Sequence, residues 1–260
     1  MDKIQLQGIL YDEKSSFLSG PAGAPPLIRE AYHSDAFNFF AEDGSEISPD
    51  KLVDHGDYKI DQYFDIEEIS YSHLKHKIPL ITLGGDHSIT YPILKAFHRH
   101  YGPLEILHID AHADLYDSFE GDPYSHACPF ARIMEDKLAS RLVQVGIRTL
   151  SDHQKEQAER YGVEILEMRD YSLKKVPQFK GPLYLSFDLD ALDPAFAPGI
   201  SHHEPGGFSS RQVLEIIQNI KAPLVGADLV EFNPKRDVNG VTASVCAKLL
   251  KEIAARMLNS

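Results

Sequence analysis

Short apolar runs that alternate with helical patterns constrain the fold of this chain more than any other feature. The runs fall at residues 4–10, 79–83, 104–109, 141–145, 182–187 and 224–230. EILHID and LYLSFDLD are apolar almost without interruption. That is the pattern of parallel strands covered on both faces, not of strands with one wet face. Between the runs, residues 89–100, 127–138, 152–161, 210–220 and 241–258 carry helical periodicity. Strand and helix in alternation predict the α/β class, a parallel sheet with helices on both sides. Ser209 or Ser210 can cap the helix that follows, and Pro26 stands where a first-turn proline is tolerated. Residues 41–63 are polar, turn-rich and without period, and are predicted to be a surface excursion. No break in composition divides residues 1–260, so one domain is expected.

Charge and cysteine content narrow the partners. Lys and Arg number 26 against 39 Asp and Glu, a formal charge of −13. Such a surface repels nucleic acid and anionic membranes and mildly favours cationic ligands. No stretch approaches the roughly 18 apolar residues of a membrane helix, and the first residues lack the pattern of a signal peptide. Cys128 and Cys246 are the only cysteines, too few for a disulfide framework, and both are expected as small buried hydrophobes. A cytoplasmic protein without nucleic-acid or membrane partners is the expectation.

The chemistry is concentrated where apolar runs end. Gly84-Gly85-Asp86-His87-Ser88 closes one run, Asp110-Ala-His112-Ala-Asp114 a second, and Asp188-Leu-Asp190 a third. In parallel α/β sheets, sites form beyond the carboxyl ends of the strands, so clusters far apart in sequence can converge. Side chains two apart on an extended strand share a face, which lines up Asp110, His112 and Asp114, and Asp188 with Asp190. A lone Asp-x-His or Asp-x-Asp is usually a turn, a cap or a solvated strand end. Three, each ending an apolar strand, are not explained that way. Carboxylates brought together in a low-dielectric site repel strongly, and two divalent cations would cancel four of them. The donor set is rich in carboxylate and imidazole and lacks thiolate, which points to Mn²⁺ or a similar ion rather than structural zinc or calcium. Asp86, beside two glycines, is expected to order its loop.

These motifs resemble those of the ureohydrolases, the family of arginases, agmatinases and formiminoglutamases. The likeness rests on GGDHS at 84–88, DAHADL at 110–115 and SFDLDALDPAFAPG at 186–199, and runs from Gly20 to the C-terminal helix. It implies a three-layer α/β/α sandwich on a parallel, roughly eight-stranded sheet, and two Mn²⁺ per chain. His87, Asp110, Asp114 and Asp188 would hold one ion. Asp110, His112, Asp188 and Asp190 would hold the other. A water activated between the ions would attack a guanidinium carbon, giving urea and an amine. Asp114 would also hydrogen-bond the nucleophile, His126 would return a proton to the departing amine, and Glu231 would pair with the guanidinium. Assembly as a trimer or hexamer is implied as well. Asp228 is expected to be structural, as are the other ten of the thirteen histidines, or solvent-facing. Contact of His202 and His203 with substrate stays open.

The identity of the small cationic guanidino substrate is less constrained. Animal-type arginases carry a Ser/Thr- and Asn-rich loop before the shuttle histidine, where this chain has Tyr116-Asp-Ser-Phe-Glu-Gly-Asp-Pro-Tyr-Ser125. An acidic loop suits a free amine, which favours agmatine. The YDSFEGDPYSH and VEFNPKRD stretches resemble plant-type arginases and favour arginine. Agmatine hydrolysis to putrescine is the expectation, with arginase or another guanidino-acid ureohydrolase as the alternative. A non-catalytic relative would be expected to lose a ligand, His126 or Glu231, and none is lost. Deacetylase chemistry, which uses one metal and a His-His pair, fits the two-metal set poorly.

Overall fold

Eight strands form in the computed structural model, which describes residues 3–74 and 78–259. They are β1 (Ile4–Leu10), β2 (Leu52–Lys59), β3 (Leu80–Leu83), β4 (Leu104–Ile109), β5 (Ala139–Ile147), β6 (Glu164–Glu167), β7 (Leu183–Asp188) and β8 (Leu224–Val230). They pair in the order β2-β1-β3-β8-β7-β4-β5-β6, every pair parallel. The most apolar runs take the centre: every residue of β3 and β7 is buried.

Two apolar clusters flank the sheet, as the period of two along each strand requires. Ile81, Leu83, Leu107, Ile109, Leu185 and Phe187 belong to one cluster. Their neighbours Leu80, Ile106 and Tyr184 belong to the other. Against the first face pack α1 (Ala24–Tyr32), α6 (Ser210–Gln218) and α7 (Val241–Leu258), through Ile28, Ile217 and Leu250 among others. Against the second pack α2 (Asp65–Leu74), α3 (Thr90–Tyr101), α4 (Pro129–Glu135) and α5 (Asp152–Tyr161), through Ile66, Phe97, Phe130 and Ala158. The result is the three-layer sandwich. Ser209 caps α6 in a reciprocal box with Gln212, and Ser151 does the same for α5 with Gln154. Cys128 and Cys246 are buried thiols.

Two sequence expectations are corrected. Residues 41–63 are not all excursion, because Leu52–Lys59 adds to the sheet as edge strand β2. Its face beyond Leu52 is largely exposed, so LVDHGDYK carries no apolar signal. The other edge strand, β6, escaped because it is only four residues long, EILE, with glutamate at both ends and none of its residues fully buried. Helix α4 is shorter than residues 127–138, starting at Pro129 and ending by Glu135. His76 lies outside the described residues.

The strand order decides where chemistry can gather. Strands β3, β8, β7 and β4 are consecutive neighbours in the sheet, and parallel, so their carboxyl ends lie side by side. Those ends lead into Gly84–Ser88, Glu231, Asp188–Asp190 and Asp110–Asp114. Gly85 allows one further close approach: a Cβ there would lie 1.6 Å from the Tyr11 carbonyl oxygen, so the backbone after β1 passes directly over the loop.

Candidate functional site

The three acidic and histidine motifs meet in one buried cluster. His87 enters at the end of β3 on a short 3-10 turn capped by Asp86, whose side chain accepts from the Ser88 N–H. Asp86 also accepts from the Lys14 N–H, which makes it the loop-ordering residue expected. The His87 ring is fixed from behind. The Ser186 hydroxyl gives its hydrogen to Asp228 at 2.7 Å, so it accepts from His87 Nε2 at 3.0 Å. Asp228 in turn accepts from Thr90 and Tyr184, a wholly structural environment.

With a hydrogen on Nε2, the ring turns Nδ1 inward. Burial disfavours a charged ring, but the facing Asp110, Asp114 and Asp188 outweigh it and, with no cation between them, hold the imidazole well above its ordinary range. Nδ1 is buried without a hydrogen-bond partner and faces Asp110 Oδ2 at 3.2 Å, Asp114 Oδ2 at 3.1 Å and Asp188 Oδ2 at 3.1 Å. A second group forms beside it, where His112 Nδ1 lies 3.0 Å from Asp190 Oδ2 and 3.6 Å from Asp110 Oδ1. The two oxygens of Asp110 thus face different groups, as a carboxylate shared between two cations would. Burial, followed by the neighbouring Asp190 and Asp110, pushes the Asp188 carboxyl well above its ordinary range. Burial also lifts Asp190, to about 6.

A lone pair aimed at three carboxylates is repulsive without a cation between them. Protonating Nδ1 satisfies only one of the three at full strength. The arrangement fits divalent metal, and the oxygen and imidazole donors suit a hard or borderline ion.

Beside the cluster stand His126 and Glu231. Glu231 follows β8 with a left-handed backbone, φ 64°, and Asp114 is similar at φ 50°. Such conformations are costly for residues with side chains and collect at functional sites. The Glu231 N–H donates to the Gly85 carbonyl, and its Oε1 accepts from the His87 N–H at 2.9 Å and from His126 Nδ1 at 3.0 Å. His126 Nε2 lies 3.2 Å from the Ser16 backbone nitrogen and 2.8 Å from the Ser16 hydroxyl, whose oxygen can accept from the charged ring. Burial disfavours a charged His126, but Glu231 outweighs it and raises the ring to about 9. Burial likewise raises Glu231, and His126 more than reverses it, so the carboxyl ends below its usual range.

These groups border a cavity of about 220 Å³, whose remaining wall includes Ser16, Tyr116, Phe119, Thr149, Gln154 and His202. His202 stacks obliquely on His126, with ring centroids 5.4 Å apart, so it reaches the cavity, while His203 is not among the lining residues. The acidic loop behaves otherwise than expected. Asp122 is bonded to Lys14 Nζ at 2.6 Å and to the Tyr124 N–H. Asp117 pairs with His153 at 3.2 Å, and neither these nor Glu120 lines the cavity. The sequence argument for a free-amine substrate counted these charges as if they faced it.

Sequence reading missed His108, Gln144 and Ser16. His108, expected only to be structural or solvent-facing, is fully buried with Nε2 2.7 Å from Asp110 Oδ2. Its position two residues before Asp110 was the available signal, since it places both on one face.

A parallel α/β sheet whose strand ends assemble carboxylate and imidazole groups around a small cavity defines a metal-binding hydrolase. The chain belongs to the arginase family, whose model matches residues 2–255, and is a hydrolase acting on guanidino carbon–nitrogen bonds. It is 48% identical to arginase 1, mitochondrial, of Arabidopsis thaliana over 97% of this chain and 80% of the relative. The structure of arginase from Medicago truncatula superposes with a TM-score of 0.92 at 42% identity, covering 98% of this chain and 87% of that one. Agmatine ureohydrolase of Thermoplasma volcanium gives 0.87 at 29% identity over 98% and 90%. Agmatine as the first choice of substrate is therefore not supported, and arginase fits better. Among the described residues no helix is long and apolar enough to cross a membrane.

Proposed function

We propose that this chain is a two-manganese arginase, converting L-arginine to L-ornithine and urea. The observation that carries the reading is the pair of carboxylate–imidazole groups sharing Asp110 directly beside the Glu231–His126 pair. His87, Asp110, Asp114 and Asp188 would hold one ion, and Asp110, His112, Asp188 and Asp190 the other. When bound, the metals supply a water acidic enough to act as a nucleophile near neutral pH.

The protein's own groups do the rest. Glu231 pairs with the guanidinium and orients its carbon, and Asp114 accepts a hydrogen bond from the nucleophile. As the carbon–nitrogen bond to the side chain breaks, the departing nitrogen takes a proton from His126, because an amide anion leaves too slowly. Arginine over agmatine is supported by the arginase relatives and by the hydroxyl and amide groups of Ser16, Thr149 and Gln154 on the wall, which can donate to the α-carboxylate that agmatine lacks. The two buried thiols suit a reducing compartment such as the cytoplasm, and a trimer or hexamer is the proposed assembly.

Urea release by the Mn²⁺-loaded protein on arginine, agmatine and guanidinobutyrate tests the reading. Arginine is expected to give the highest kcat/KM. A higher value on agmatine overturns the substrate assignment, and no turnover of any of them overturns the activity.

A further inference from the structure

His108 lies on β4 two residues before Asp110, fully buried and stacked on Phe130 with ring centroids 3.9 Å apart. It lies close enough to His87 and Asp110 for the three to be mistaken for a single metal-binding group. The hydrogen bonds around it say otherwise. Gln144 Nε2, on β5, lies 2.6 Å from the Ala113 carbonyl oxygen and 3.0 Å from His108 Nδ1. A carbonyl only accepts, so the amide nitrogen of Gln144, and not its oxygen, must stand at that end. Its second hydrogen is then left for His108 Nδ1. Because Nδ1 accepts, Nε2 carries the ring hydrogen and donates it to Asp110 Oδ2 at 2.7 Å. A nitrogen holding that hydrogen cannot also ligate a cation.

The same amide nitrogen reaches the second carboxylate of the motif through the backbone. Ala113 precedes Asp114, whose φ of 50° sets the turn that aims its carboxylate at the His87 group. The Asp114 carbonyl is held in turn by the N–H of Phe130, the residue stacked on His108. Gln144 thus fixes the tautomer of the ring that orients Asp110 and the carbonyl next to Asp114.

We propose that His108 and Gln144 are positioning residues for metal loading. They hold the Asp110 and Asp114 carboxylates in the geometry of the bound site before any cation arrives. This rests on the metal reading above. Partners that orient metal ligands typically contribute about 10–100-fold in affinity.

The test is titration of metal-free protein with Mn²⁺, following free ion, on the wild type and on His108→Leu, His108→Gln, Gln144→Met and the double variant His108→Leu/Gln144→Met. Thermal unfolding of each metal-free variant checks folding. His108→Leu removes the donor and is expected to weaken binding by about 10–100-fold. His108→Gln, whose amide can donate toward Asp110, is expected to recover most of the loss. Gln144→Met is expected to weaken binding as well, and the double variant to lose less than the product of the single effects, since both act through one chain of hydrogen bonds. Wild-type affinity in His108→Leu overturns the inference. So does equal loss in His108→Gln, which would make ring volume the cause. If His108→Leu does not fold, the His108→Gln and Gln144→Met comparison decides: the inference requires the first to bind near wild type and the second to weaken. A wild type that binds no Mn²⁺ overturns the metal reading itself, a different outcome from either.

Discussion

Replacing Glu231 by glutamine isolates the charge of one buried group. Both hydrogen bonds to its side chain fall on Oε1, from the His87 N–H and from His126 Nδ1. Oε2 is left for a guanidinium. In the amide, one end can still accept from the His87 N–H, but the other becomes a donor facing donors of the substrate. What is lost is a charge-assisted hydrogen bond in a site where the side chain is only 6% exposed. Such bonds contribute about 1.5–3 kcal/mol, which predicts a fall in kcat/KM on arginine of about 10- to 150-fold. Glu231 faces the cavity and His126, not the His87 Nδ1 group, so metal content is expected to stay at the wild-type value. The assay is steady-state urea release at saturating Mn²⁺, with bound metal measured on the same samples. A change in kcat/KM below about twofold would refute the pairing. Loss of metal in parallel would refute it differently, by making Glu231 part of the ion-binding set.

Gly85→Ala drives a Cβ into the Tyr11 carbonyl oxygen, which only backbone movement can relieve. Overpacking of this kind costs about 1–3 kcal/mol, and each kcal/mol lowers Tm by about 2–4 °C in a chain of this size. Calorimetry showing an unchanged Tm would contradict the close approach. Asp122→Asn is expected to leave the ratio of arginine to agmatine kcat/KM within about twofold, because the carboxylate is engaged by Lys14 and does not line the cavity. A larger shift would restore the acidic loop as a reader of the substrate.

The sequence patterns located the central strands and most helices because those elements bury both their faces, or one full face. β1, β4 and β8 begin and end where the apolar runs do. The edges were opaque. β2 and β6 gain their place from backbone pairing with a neighbour already in the sheet, and residues such as Asp54, Asp57 and Glu164 carry no trace of it. The site divided along a similar line. Residues that bind by charge announced themselves as Asp and His at strand ends. His108 was hidden inside an apolar run, where a buried imidazole looks like any other core residue, and its role depends on Gln144, 36 positions away. The acidic loop misled because charge was counted without direction: Asp122 is engaged by Lys14, and Asp117 lies beside His153, largely exposed and outside the cavity lining.

The wall of the cavity and its floor come from different kinds of structure. The floor stands on the ends of four neighbouring strands, each locked by pairing on both sides. Much of the wall is lent by residues such as Ser16, Tyr116 and Phe119 on connecting loops, whose side chains hold up nothing in the sheet. Exchanges there can retune which tail is admitted while the bond-breaking centre keeps its geometry. One inherited reaction can therefore serve a succession of substrates, each reached by altering only the loops.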